Sequence, residues 1–185
     1  MIKYISANFG THRGLIRSII DQVKLRLGYF NSATKLNSYN SKRLVFVCHG
    51  NICRSPFGEY AAKQYNWNIP ITSIGLSTHT GSLANAVAIE IAEEFDIDMS
   101  AHRATDLEDF EVKPDDTFLV MEERHISSIK TRLKRDDIQV VLLGLWCDKP
   151  KPLIYDPYTH SRAYFRTCFH TIHQAVMNLH YELED

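Results

Sequence analysis

Between Arg43 and Glu59 the chain reads RLVFVCHGNICRSPFGE, and the side chains in it able to do chemistry are Cys48, Cys53, Arg54 and Ser55. A cysteine followed six positions later by an arginine is a weak signal alone, because a cysteine in an apolar run most often serves as a small hydrophobe. The whole phrase says more. Gly50 and Asn51 tolerate positive φ, so the loop can curl until the backbone N–H groups of His49, Gly50, Asn51, Ile52, Cys53, Arg54 and Ser55 line one anion-sized hollow. Ser55-Pro56 places a capping hydroxyl and a proline where a helix begins, and the dipole of that helix backs the hollow. Arg54 adds a planar, permanently charged fork suited to two oxygens of a phosphate. The same field favours the thiolate of Cys48, the nucleophilic form of the side chain. A phosphate cradle with a thiolate at its floor is a site for phosphoryl transfer.

Such a loop works only if rigid elements hold its two ends. Leu44 to Val47 is a short β-branched apolar run, as a buried parallel strand should be, and it delivers Cys48 to its C-terminal end. A helix is expected from Ser55 to about Asn66. Ile69 to Ile74 reads as a second strand, Thr117 to Met121 as a third and Ile138 to Leu143 as a fourth. Between them, Ala84, Val87, Ala88, Ile91 and Phe95 form the inward stripe of one helix, with Glu90, Glu93 and Glu94 outward, and Glu122 to Lys134 forms another. Phe165, Phe169, Ile172, Val176 and Leu179 mark a long closing helix. This alternation predicts an α/β fold: a four-stranded, doubly wound parallel sheet flanked by helices on both faces, with its active edge at the C-terminal ends of the strands.

The frame is consistent with that fold. The chain has 185 residues, 44% of them apolar and 23% charged, enough for one domain plus an arm. No apolar run is long enough to span a membrane and no secretory signal is visible, so a cytoplasmic protein is expected. Four cysteines without paired C-x-x-C spacing make neither a disulfide framework nor a zinc set. Net charge is −1 but unevenly spread, for residues 1 to 43 hold eight Lys or Arg against the single acid Asp21. Ile16, Ile19, Ile20, Val23 and Leu27 recur there at helical spacing, with Arg13, Arg17, Lys24 and Arg26 elsewhere on the wheel, which predicts a basic amphipathic helix. From Asn31 to Ser41 the sequence is polar and unpatterned, as a linker is. The division expected is therefore a basic arm, 1–41, and a catalytic body, 42–185. The arm's partner is left open among the body, a second copy and an anionic surface; no nucleic acid is expected. His170, His173 and His180 on the closing helix have no acid or cysteine close by in sequence, so no metal site is expected. Cys147 and Cys168 read as packing residues.

At Val47 to Pro56, VCHGNICRSP, the sequence resembles the low-molecular-weight protein tyrosine phosphatase family, whose signature is V-C-x-G-N-x-C-R-S-P. The resemblance extends to Leu119-Val120-Met121-Glu122, to the stretch from Ile97 to Arg103, and to Asp156-Pro157-Tyr158, which is similar to the family's aspartate–proline–aromatic loop. It covers Lys42 to the C-terminus and leaves the arm outside. It implies a metal-free and cofactor-free hydrolysis of phosphotyrosine in proteins or peptides, through a cysteinyl phosphate. In that reading Cys48 is the nucleophile, Arg54 binds phosphate, Asp156 is the general acid and base, Ser55 donates to the thiolate, and His102 supports the loop. Asp156 also suits the part chemically: Pro157 fixes the backbone beside it, and Tyr155 and Tyr158 give it a partly apolar setting. Tyr158 and His79 would wall the substrate pocket. His49 stands where the family usually has a hydrophobic residue, Asn85 replaces a usual aspartate, and the loop Leu76 to Ala84 lacks the usual aromatic wall. An arsenate reductase is built on a similar cradle but needs a further redox pair, and a non-catalytic phosphate-binding module would dispense with Cys48 or Asp156.

Overall fold

A computed structural model of the chain describes residues 1–30, 41–135 and 138–184. The stretch read as a linker lies outside them, apart from Ser41, whose hydroxyl is buried 2.6 Å from that of Thr117 and so belongs to the body.

Two short helices come first, α1 (Ile2–Phe9) and α2 (His12–Arg26), the second opened by Thr11, whose side chain accepts from the Gly14 amide. The body then alternates β1 (Arg43–Cys48), α3 (Arg54–Ala62), β2 (Ile71–Gly75), α4 (Ala86–Glu93), β3 (Asp116–Val120), α5 (Glu123–Leu133), β4 (Gln139–Leu142) and α6 (Arg162–Glu184). The four strands form one parallel sheet in the order β2-β1-β3-β4. The period-two alternation of β1 decides which core each side chain joins. Leu44 and Phe46 face a cluster with Phe57 of α3, Ile91 of α4 and Phe169 of α6, whereas Val45 and Val47 face Phe118, Val120 and Ile129 of α5. Both faces are covered, so the sheet is doubly wound.

Strand ends shift by one or two residues from those the sequence suggests, as in β2 and β3, and two further boundaries differ. Helix α3 stops at Ala62 rather than near Asn66, and the indole N–H of Trp67 turns back to cap the Ala62 carbonyl at 2.7 Å. After β4 the chain enters a 3₁₀ turn over Leu143–Trp146 instead of continuing as strand.

The arm helix exists and packs on the body, but with its polar side inward. Arg17 and Lys24 reach Glu122 and Glu123 at 2.7 and 2.5 Å, and Gln22 donates to the Pro150 carbonyl at 2.7 Å. Thr167 of α6 donates to the Ala7 carbonyl at 2.7 Å, and Phe30 enters the core on the α5 side of the sheet.

Candidate active site

Strand β1 carries Cys48 to the edge of the sheet between β2 and β3, and α3 begins at Arg54, so the intervening loop must turn within a few residues. Asn51 makes the turn at φ 50°, a left-handed conformation that asparagine accepts more readily than most residues. Its side chain is buried and fully engaged. Nδ2 donates to Ser55 Oγ and to Ser73 Oγ, both at 2.8 Å, and Oδ1 accepts from the Thr105 amide at 2.9 Å. The Ser73 hydroxyl in turn donates to Glu59 Oε2 at 2.6 Å. The Asn51 carbonyl lies 2.8 Å from His102 Nε2. A carbonyl only accepts, so that nitrogen carries the ring proton. Burial lowers the pKa of His102, outweighing the bond to Asn51, which raises it. Close by, Gly75 ends β2; a Cβ there would stand 3.0 Å from Asn51 Cβ, so only glycine lets the strand approach the loop this closely.

Cys48 is 2% exposed. Ser55 Oγ lies 3.1 Å from its sulfur and 3.2 Å from the Ile74 carbonyl, and its single proton serves one of them at a time. Arg54 is buried as well. Nη1 donates to Glu122 Oε1 at 3.1 Å and to the Ile154 carbonyl at 3.0 Å, and Nη2 donates to Asp156 Oδ2 at 2.5 Å. Its Nε–H meets no acceptor among the described residues, which leaves one donor of the guanidinium uncommitted. Burial opposes the arginine's charge, but Asp156, Cys48 and Glu122 outweigh it and raise its pKa.

Asp156 sits differently: its side chain is 30% exposed, and besides Arg54 it accepts from the Tyr158 amide at 3.1 Å. Cys48, Arg54 and Asp156 line one cavity of about 360 Å³, together with Gly50, Ile52 and Cys53 of the loop. His79 and Tyr158 line its mouth, both exposed, and His49 is an exposed residue on the same rim. The loop Leu76 to Ala84 is tied to the cradle by the amides of Leu76 and Ser77, which donate to the carbonyls of Cys48 and His49 at 3.0 and 2.8 Å. Asn85 caps α4 by accepting from the Ala88 amide at 3.1 Å, so an uncharged side chain serves there.

Sequence reasoning assigned no role to Glu122. It is fully buried at the end of β3 and meets Arg54, Arg17, Arg124 at 2.9 Å and His125 at 3.3 Å. Burial opposes its ionisation, but His125 and Arg54 outweigh that and hold the carboxyl well below the usual range. Its position at the C-terminal end of an apolar strand, the active edge of such a sheet, was the available signal; its pairing with Arg54 and Arg17, 68 and 105 residues away, was not. Arg17 was likewise seen only as a wheel position. It also lies 5.6 Å over the ring of Tyr155, next to Asp156.

The remaining cysteines are free and buried. Burial pushes the Cys53 thiol well up, with the neighbouring Cys48 and Asp156 adding to the effect. It also pushes Cys147 up to about 11 and raises Cys168, whose sulfurs approach the carbonyls of Thr171 and Tyr155. His180 packs against the rings of Tyr65 and Trp67, each at 4.8 Å between centroids.

Residues 43–185 match the family model described as low molecular weight phosphotyrosine protein phosphatase. The low molecular weight protein-tyrosine-phosphatase Ptp of Acinetobacter johnsonii is 37% identical over 124 residues, 67% of this chain and 85% of the relative. Among solved structures, the tyrosine phosphatase AmsI of Erwinia amylovora superposes with a TM-score of 0.69 at 29% identity, covering 78% of this chain and 95% of that one. Wzb of Vibrio vulnificus, solved in complex with benzylphosphonate, superposes with a TM-score of 0.66 at 27% identity, covering 76% and 98%.

Proposed function

The chain belongs to the low molecular weight phosphotyrosine protein phosphatase family, a family of hydrolases, and from that premise we propose that it removes phosphate from phosphotyrosine in proteins or peptides, and from small aryl phosphates, through a cysteinyl phosphate. The observation that carries this reading is the meeting of Cys48, Arg54 and Asp156 on one cavity, although the third lies more than 100 residues from the other two in sequence. The ligand named for Vibrio vulnificus Wzb, a benzyl group on a phosphonate, has the outline of the aryl substrate inferred here.

In this mechanism the Cys48 thiolate attacks phosphorus in line with the tyrosyl oxygen, and the S–P bond forms as the P–O bond breaks. Loop amides and Arg54 hold the three equatorial oxygens while their charge redistributes. Asp156 gives its proton to the departing tyrosyl oxygen. Water then attacks the phosphocysteine, Asp156 takes a proton from that water, and inorganic phosphate leaves with Cys48 again a thiolate. The ion pair between Arg54 and Asp156 assigns a second task to the arginine. Without substrate it pairs with Asp156 at 2.5 Å; a phosphate dianion would compete for the same guanidinium nitrogen and free the Asp156 side chain to face the departing tyrosyl oxygen. Ser55 steadies the thiolate as attacking and leaving group, and Asn51 with His102 keeps the loop curled. A phosphotyrosine is long enough to reach Cys48 past Tyr158 and His79, which stack on its ring, and a phosphoserine is shorter.

Cys53 shares this loop and supports a protective role. Peroxide would oxidise the Cys48 thiolate to a sulfenic acid, and condensation with the Cys53 thiol would release water and leave a disulfide that an external thiol reduces. The arm, residues 1–41, is outside the matched family region and is read as an addition to a complete catalytic body.

The deciding experiment compares hydrolysis of a phosphotyrosine peptide, the matching phosphoserine peptide and an aryl phosphate. The expected result is strong preference for the first and third, with phosphate trapped on Cys48 after rapid acid quench. Equal cleavage of phosphoserine would refute the pocket assignment, and absence of a cysteine-linked phosphate would refute the mechanism.

A further inference from the structure

Helix α2 presents its apolar stripe to solvent. Ile16, Ile19, Ile20, Val23 and Leu27 are between 48 and 80% exposed, while Gly14 and Asp21 of the opposite side are buried. A helix that faces its own protein with its polar side departs from the usual arrangement, in which the apolar stripe packs on the core. Its polar contacts explain the orientation. Arg17 answers a carboxylate that has no exposure at all, Lys24 pairs with Glu123, and Gln22 reaches the Pro150 carbonyl. With the polar side committed to the body, the five aliphatic side chains have no partner surface among the described residues, and an apolar patch of this kind marks an interaction site.

The charges around the stripe select the partner. Arg17 and Lys24 are spent on the body, whereas Arg13 and Arg26 are exposed and flank the stripe on its two sides. The arm's only acid, Asp21, is buried on the inward side. An apolar strip between basic borders matches the boundary of an anionic bilayer, where aliphatic side chains enter the acyl region and Arg or Lys meets the headgroups. A second copy would set the same basic borders against each other. The helix has 15 residues, and no helix among the described residues is long and apolar enough to cross a membrane, so the helix would lie in the surface. We infer that α2 docks this protein on an anionic lipid surface through Ile16, Ile19, Ile20, Val23 and Leu27, with Arg13 and Arg26 as its electrostatic borders.

The test uses the full chain in co-sedimentation with vesicles of phosphatidylcholine alone or mixed with phosphatidylglycerol, at low and high salt. Binding is expected on the anionic vesicles, weakening with salt, and little on the neutral ones. Ile20→Asp with Val23→Asp should reduce it by more than about tenfold, as should Arg13→Glu with Arg26→Glu, while hydrolysis of an aryl phosphate in solution stays unchanged because none of these side chains lines the catalytic cavity. Unchanged circular dichroism and activity show that the variants are folded; a variant that fails this check is replaced by Ile16→Ser with Val23→Ser. No binding to either vesicle, or equal binding to both, overturns the inference. So does a native dimer that the stripe substitution turns into a monomer, because that result assigns the stripe to a second copy.

Discussion

The loop that holds Cys48 and the loop that carries Asp156 line the same cavity, yet different kinds of interaction hold them. The first is buried and braced from several sides: Asn51 alone ties it to Ser55, Ser73, Thr105 and His102. Asp156, 30% exposed, is held by the adjacent Tyr158 amide and by one ion pair, and its partner in that pair is the arginine assigned to the substrate. The contrast fits the two tasks proposed for these loops. Stabilising a transferring phosphoryl group needs dipoles fixed in advance, which a braced loop supplies. A group that must hold a proton in one step and accept one in the next needs surroundings that change when substrate arrives.

Substitutions can separate the two regions. The largest effect expected is that of Cys48→Ser, which should lower turnover by roughly 10⁴ or more while phosphate or vanadate still binds, as isothermal titration would show. Asp156→Asn should lower phosphotyrosine turnover by roughly 10²–10⁴, with the loss shrinking for aryl phosphates whose phenols are very acidic. A uniform loss across leaving groups, with anion binding weakened equally, would make Asp156 a structural part of the cradle and erase the contrast.

Peroxide gives a third comparison. Native enzyme should recover on adding thiol, whereas Cys53→Ser should remain largely inactive. Because burial pushes the Cys53 thiol up, closure of the disulfide should speed up as pH rises. Equal recovery of the two proteins would remove the protective role.

Asn51→Ala tests the bracing itself. It strips partners from two buried hydroxyls and a backbone amide, and should cost on the order of 2–4 kcal/mol in urea unfolding. A loss below about 0.5 kcal/mol would be that of an ordinary surface change and would contradict a braced cradle. The smallest effect is with pH. His102 is depressed by burial in the folded chain, so the unfolded chain binds more protons once the pH falls below the ordinary histidine range of about 6.5. Its contribution to stability is present above that value and declines as pH falls through it; His102→Gln should flatten that decline in melting temperature.

The loop after β1 was readable from sequence because its parts are adjacent: Cys48, Asn51, Arg54 and Ser55 fall within eight residues where β1 passes into α3. The sheet was readable because its strands are short runs rich in apolar and β-branched residues and its helices carry clear stripes, such as Phe165 to Leu179. What escaped reading depends on meetings across the chain. Ser73 and Glu59 look unremarkable alone, and become part of the loop only when β2 is laid beside it. Glu122 has the look of a helix-capping acid until Arg54 and Arg17 reach it. The stripe of α2 was visible, but its orientation was decided by Glu122 and Glu123 on the body, and a hydrophobic pattern alone points the other way.

The separation between the first and last parts of the site also bears on how the protein is made. Arg54 donates to the Ile154 carbonyl and to Asp156, 100 and 102 residues later, and β1 must be flanked by β3 as well as β2 before its end is buried. During synthesis from the N-terminus, the reactive thiol therefore leaves the ribosome long before the segment that completes its surroundings. Nascent chains stalled short of residue 150 should show a Cys48 open to a bulky alkylating agent, and the released full chain, in which that side chain is 2% exposed, should be alkylated less readily.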